Sequence, residues 1–316
     1  MKQKIAVITS ACLLILFYFE GCERSSTMAT QPDQIRPVAQ QDQSAMGSII
    51  AQDPLFTTDA AALNDADPSL AKTDAAIVPN GWGRKIQTSS RTVTYNHVND
   101  STVIATVTNT LTGQVWIRVK QTPKDTIIFK PLAETLVHKV EFMRVPLRKF
   151  SQLSNWKIVA VSGTQGGTST MGISIQNVTL FSGQDTVQIM NPLDSLFQIP
   201  FASMHQHWGL REWNANPAGI FKIVVTVKST DPDSDVVTAH RPLWFEFADR
   251  FMRAQMSLVS SVANGDGTFT RVYENNWNGS FAGRFNVFVS VLTRQSIYDN
   301  QAQFASQVWG IPFIIQ

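Results

Sequence analysis

Apolar and polar residues alternate along most of the chain beyond residue 80, the period of a strand with one buried face. Runs rich in β-branched residues predict strands at Arg91–Tyr95 and Thr102–Thr108. Thr112-Gly113 then predicts a turn before Val115–Lys120. Ile127–Phe129, Leu136–Met143, Trp156–Val161, Gly172–Phe181 and Val187–Met190 continue the series. After Asn191-Pro192 the pattern resumes near Val236–Thr238, Leu243–Phe247, Gln255–Val262, Phe269–Tyr273 and Trp309–Ile315. Asn264-Gly265-Asp266-Gly267 is a hairpin signal, because Asn and Gly tolerate positive φ. Phe247–Met256 fits an amphipathic helix as well as a strand. Many short strands with little room for long helices predict an all-β, antiparallel architecture of two sandwich-like domains, 81–190 and 191–316.

One stretch occurs twice. Trp213-Asn214, Ala218-Gly219 and then Phe221, Ile223, Val225 and Val227 recur as Trp277-Asn278, Ala282-Gly283 and Phe285, Val287, Val289 and Val291. Seven of fifteen aligned positions are identical, enough to predict two related strands with the same buried face. Both Phe rings are then expected in the core, with Lys222 and Asn286 pointing the other way. The repeat resembles the late strands of PKD and other Ig-like modules, which implies an Ig-like sandwich. The spacing of 64 residues is short of two complete Ig domains, so the copies are expected within one sandwich or as an eroded duplication.

The first 80 residues have a different character. Lys2 and Lys4 precede a 15-residue apolar stretch, Ile5–Phe19, interrupted only by Thr9 and Ser10. It is shorter than the roughly 20 residues of a membrane-spanning helix and fits the hydrophobic region of a secretory signal. Gly21-Cys22 directly after it resembles the lipobox of bacterial lipoproteins, with Phe19 and Glu20 where that pattern has Leu and a small residue. The resemblance implies removal of residues 1–21 and lipidation of Cys22. Cys12 is the only other cysteine and lies in the signal, so the exported body would hold neither thiol nor disulfide. Residues 22–80 read as a tether, rich in Gln, Ser, Asp and Thr, with a short helix near Ala60–Leu63. Asp59, Asp65, Asp67 and Asp74 do not follow the EF-hand spacing.

Charge and motifs narrow the chemistry. A formal net charge of +2 without a basic run gives nucleic acid no electrostatic hold. Asp231, Asp233 and Asp235 alternate around Pro232 and are the candidate calcium ligands, against a plain solvated turn. His205 and His207 share a face if they lie on a strand, but have no obvious third ligand for zinc. Trp208, Trp213, Trp277 and Trp309 are the candidate aromatic platform for sugars, against packing at the sandwich rim. Gly163–Gly167 lacks the Lys and helix of a phosphate loop and reads as a hairpin turn, and no Gly-x-Ser-x-Gly elbow occurs. No set of catalytic residues stands out and no cofactor is called for. The sequence therefore reads as a non-catalytic, lipid-anchored protein of the bacterial envelope, at the outer membrane or cell surface ahead of the inner membrane. Its role is structural or binding, toward an envelope protein or polysaccharide. The alternative is a carbohydrate-active protein, either a sugar-binding module or a glycoside hydrolase.

Overall fold

The computed structural model describes residues 38–53, 63, 77–120, 125–145, 155–169, 172–182, 185–198, 220–245, 248–278 and 283–315. All of them belong to one compact unit, Arg36–Gln316. The fold is all-β and sandwich-like, built from two antiparallel sheets.

Three long strands dominate the larger sheet: β1 (Pro79–Asn99), β2 (Thr102–Val119) and β3 (Thr126–Arg144). At about 3.3 Å per residue they form a ribbon roughly 60 Å long. They fuse runs that the sequence pattern kept apart. Gly113, expected in a turn, lies inside β2 opposite a register shift between Ile86 and Thr88. A Cβ on Gly113 would come 2.1 Å from the Lys85 carbonyl oxygen, so the close approach of β1 at this bulge requires glycine. The Gly163–Gly167 stretch is likewise not a turn. Thr164–Gly167 is β5, wedged between β3 and β15 (Ser306–Ile315). A Cβ on Gly166 would sit 1.9 Å from the Thr135 carbonyl oxygen.

The larger sheet runs in the order β1-β2-β3-β5-β15-β14-β10-β11, with β14 (Gly283–Leu292), β10 (Val236–Phe245) and β11 (Ala248–Gln255). β4 (Trp156–Ser162) joins the far end of β3, and β8 (Leu196–Gln198) joins β4. Within the ambiguous Phe247–Met256 stretch, Ala248–Gln255 is thus a strand. The sheet curls until its edges meet. Arg253 of β11 donates to the Trp82 carbonyl of β1, and its guanidinium lies 3.7 Å from the centre of the Trp82 ring. The smaller sheet runs β12-β13-β9-β6-β7, with β6 (Ile173–Ser182), β7 (Asp185–Ile189), β9 (Ile220–Ser229), β12 (Ser257–Ala263) and β13 (Phe269–Asn278). Residues from both sides of position 190 share each sheet, since β5 pairs with β15 and β6 with β9. The Asn264–Thr268 hairpin joins β12 to β13, with Gly265 and Gly267 at φ 76° and 79°.

The two repeat strands are β9 and β14, and they face each other across the sandwich. Phe221, Ile223, Val225 and Val227 pack in one core with Val287, Val289 and Val291. In the second copy Trp277-Asn278 ends β13, where Trp277 pairs with Phe221 of the first copy. Phe285 lies on β14 opposite Phe313; its side chain and residues 201–219 are outside the described set. Lys222 points to solvent and pairs with Glu274 at 2.6 Å. Asn286 does turn away from that core, but it is only 5% exposed. The reason is that the opposite face of β14 is also covered: Phe288 packs with Leu111, Leu136 and Val308 beneath the ribbon.

The supposed tether also contributes to the core. Gln40–Gln52 forms helix α1, whose Met46 and Ile50, one turn apart, are fully buried against Val103, Val140 and Phe142. Tyr95 donates to the Gln43 carbonyl, and Arg144 pairs with Asp42 at 2.9 Å. A short helix α2 (Arg294–Tyr298) precedes β15, capped by the Thr293 hydroxyl. Lys130 fastens this region by donating to the Ser296 and Ala302 carbonyls, each at 2.8 Å. Burial pushes the Lys130 amine below its ordinary value, and the nearby Asp299 charge opposes that.

Candidate functional site

The ribbon sorts its residues by face. Inward on β3 point Lys130, Leu132, Glu134, Leu136, His138, Val140 and Phe142, all buried. Glu134 accepts from Arg84 Nη2 at 3.1 Å and from the Ser306 hydroxyl at 2.5 Å, while Arg84 also reaches the Ser290 hydroxyl at 2.6 Å. Arg84 and Glu134 are both fully buried, a desolvated ion pair completed by hydroxyls.

Outward on the same strands lies an open surface. Trp116 and Phe129 are direct cross-strand partners, and so are Arg118 and Ile127. Phe129 is 57% exposed and Ile127 49%. The Trp116 ring lies against Gly83 so closely that a Cβ there would come within 2.6 Å of it; glycine makes the room. The Arg118 guanidinium stands 5.8 Å from the centre of the Trp116 ring. Further along the same face the short β5 leaves a gap between β3 and β15. A cleft of about 460 Å³ opens there, lined by Thr110, Thr135, Gln165, Thr168, Ser169 and the backbone of Gly166 and Gly167. None of the described lining residues is charged. Ser306 forms part of its wall and turns its hydroxyl back to Glu134, which faces away from the cleft. Such a surface offers ring faces, hydroxyls, amides and backbone groups. It suits holding a neutral polar ligand.

The Asp231–Asp235 loop is a charge clamp. Asp235 accepts from Arg271 Nη1 at 3.0 Å, and Arg271 Nη2 donates to the carbonyls of Asp231 and Pro232 at 2.6 and 2.9 Å. Asp231 accepts the N–H of Asp233 at 3.1 Å. Asp233 points outward, its side chain 71% exposed, 3.5 Å from Arg294. Burial pushes the Asp235 carboxyl up, while hydrogen bonds from Ser229 and Arg271 and the Arg271 charge oppose the rise. The adjacent Tyr273 hydroxyl is raised as well, first by burial and then by the Asp235 charge. The Asp235 carboxylate is therefore turned to Arg271 and Asp231 to backbone N–H groups, near enough that the Asp231 charge also raises Asp235, while Asp233 is turned to solvent. Among the described residues no three His, Cys, Asp or Glu side chains are grouped as metal ligands are. A chelator is expected to leave the melting temperature unmoved. A melting temperature that climbs with calcium, in a way that Asp233→Ala removes, would contradict this.

Of the four tryptophans singled out as a platform, Trp309 is 2% exposed in the sandwich core and offers no ring face to solvent. The Trp277 backbone lies on β13, with its side chain outside the described set; Trp208, Trp213, His205, His207 and Cys22 lie outside it altogether. The described outer face of the ribbon carries another aromatic pair, the half-buried Trp116 and the exposed Phe129. The alternation in Val115–Lys120 placed Trp116 on one face of a strand, but its pairing with Phe129 depends on the register of β2 and β3. Glu134 and Glu141 sit seven apart on β3 and so occupy opposite faces. Comparison with protein-family models, curated proteins and solved structures gives no match.

Proposed function

We propose that this is a non-catalytic, lipid-anchored protein of the bacterial cell envelope with a binding role, held at the membrane through Cys22 and presenting its β body on the far side of a short linker. The observation that supports a binding role is the division of chemistry between the two faces of the ribbon. Inside, Arg84 and Glu134 are sealed in a fully buried pair. Outside, the cleft is lined by hydroxyls, amides and glycine backbone, without a charged group among its described residues. No described helix is long and apolar enough to cross a membrane. The proposed anchor lies in residues 1–22. From Cys22 to Val38 the chain can span at most about 55 Å, enough to lift the body clear of headgroups. The test is fractionation: Cys22→Ala should release the protein from membranes or leave it as an unprocessed precursor. Unchanged membrane partitioning together with an unchanged mature mass would refute the anchor.

A further inference from the structure

We propose that the outer face of the β1–β3 ribbon, from Trp116 and Phe129 to the cleft beside β5, binds a linear polysaccharide along its length. The inference rests on the binding role above and names its site and ligand class. The face is continuous, because β2 and β3 pair without a register shift from Thr102 and Met143 to Val119 and Thr126. Phe129, Pro131, Ala133 and Thr135 therefore stand in one row, and Trp116, Gln114, Thr112 and Thr110 in the row beside it. From Phe129 to Thr135 the row is about 20 Å long, room for a short run of linked sugars.

The two ends of the row differ in chemistry, and a sugar chain matches both. A sugar ring has apolar C–H faces and a rim of hydroxyls. The C–H faces stack on aromatic rings such as the exposed Phe129 and the Trp116 ring seated over Gly83. The hydroxyls donate to and accept from groups of the kind that line the cleft: the hydroxyls of Thr110, Thr135, Thr168 and Ser169 and the amide of Gln165. Competing ligand classes fit less well. An extended peptide would add to a sheet edge, but β2 is paired on both sides, and the free side of β3 along Phe129–Ala133 carries Pro131, which has no N–H to offer an added strand. A nucleic acid would need many cations, and among the described residues the strand positions beside this row supply Lys85 and Arg118. A lipid surface would match Phe129 and Ile127 but not the polar cleft.

The experiment uses the full chain carrying Cys22→Ser, so that retention does not depend on acylation. The protein is incubated with purified peptidoglycan sacculi, insoluble chitin and insoluble β-glucan, and the bound fraction is measured across concentration. Retention on at least one of the three is expected. Phe129→Ala and Gln165→Ala should each weaken it by about tenfold with the melting temperature unchanged. Val98→Ala, at a residue equally exposed at the end of the ribbon, should not change it. No retention on any of the three, or retention that neither Phe129→Ala nor Gln165→Ala weakens, overturns the proposal. Either result leaves the membrane fractionation of Cys22→Ala standing, so this inference and the anchor fail separately.

Discussion

Replacing Phe221 by Ala should destabilise the protein by roughly 3–5 kcal/mol, the usual cost of truncating a buried Phe. Phe221 is 3% exposed on β9, the middle strand of the smaller sheet, and it packs in the core that β14 closes from the other side. A typical domain is stable by only about 5–15 kcal/mol, so this one change removes a large share. The adjacent Lys222→Ala should stay within roughly 0.5 kcal/mol. Its ion pair with Glu274 is short, but Lys222 is 41% exposed and the pair is screened by water. Urea unfolding of the two variants measures the contrast. Equal, small effects would mean that β9 does not present its odd positions to the core.

Acid should weaken the fold through His138. This histidine is 2% exposed on the inward face of β3, opposite Val107. Burial, and secondarily the charge of Arg91, push its pKa down from 6.5 to about 3. The folded protein thus holds it neutral where the unfolded chain would bind a proton. The contribution is intact above pH 6.5, falls as the pH drops below that value, and is fully lost near pH 3. The slope between those limits is about 1.4 kcal/mol per pH unit. Between pH 7 and pH 5 this amounts to about 2 kcal/mol. Unfolding free energies at the two pH values should therefore differ by about 2 kcal/mol more in the natural protein than in His138→Leu. If the two proteins lose stability in parallel, His138 is not held neutral in the core.

These expectations show which features a sequence carries on its surface. The alternation of Phe221, Ile223, Val225 and Val227 and of Val287, Val289 and Val291 is local, and both segments are strands with those Val and Ile side chains, and Phe221, buried. The Asn264–Thr268 hairpin is likewise written in its own residues. Features that depend on distant partners were not legible. Asn286 is buried because the ribbon lies over β14, which nothing near residue 286 encodes. Gly113, Gly166 and Gly167 suggested turns, whereas their role is to admit a neighbouring backbone. Helix α1 is hidden because few of its residues are apolar, although Met46 and Ile50 are fully buried. The candidate site follows the same rule. Trp309 reads as a platform and is core, whereas the pair of half-buried Trp116 and exposed Phe129 exists only through the β2–β3 register. The carboxylates of Asp231, Asp233 and Asp235 alternate in sequence, but Arg271, 36 residues beyond Asp235, decides where Asp235 points.

The proposed function joins an export signal and an acylated Cys22 to a binding body. The most direct measurement is mass spectrometry of the N-terminal peptide from the membrane-extracted protein. The account predicts a chain that begins at Cys22 and carries covalent lipid on that residue. A chain that retains residues 1–21, or an unmodified Cys22 in membrane-bound protein, would contradict it.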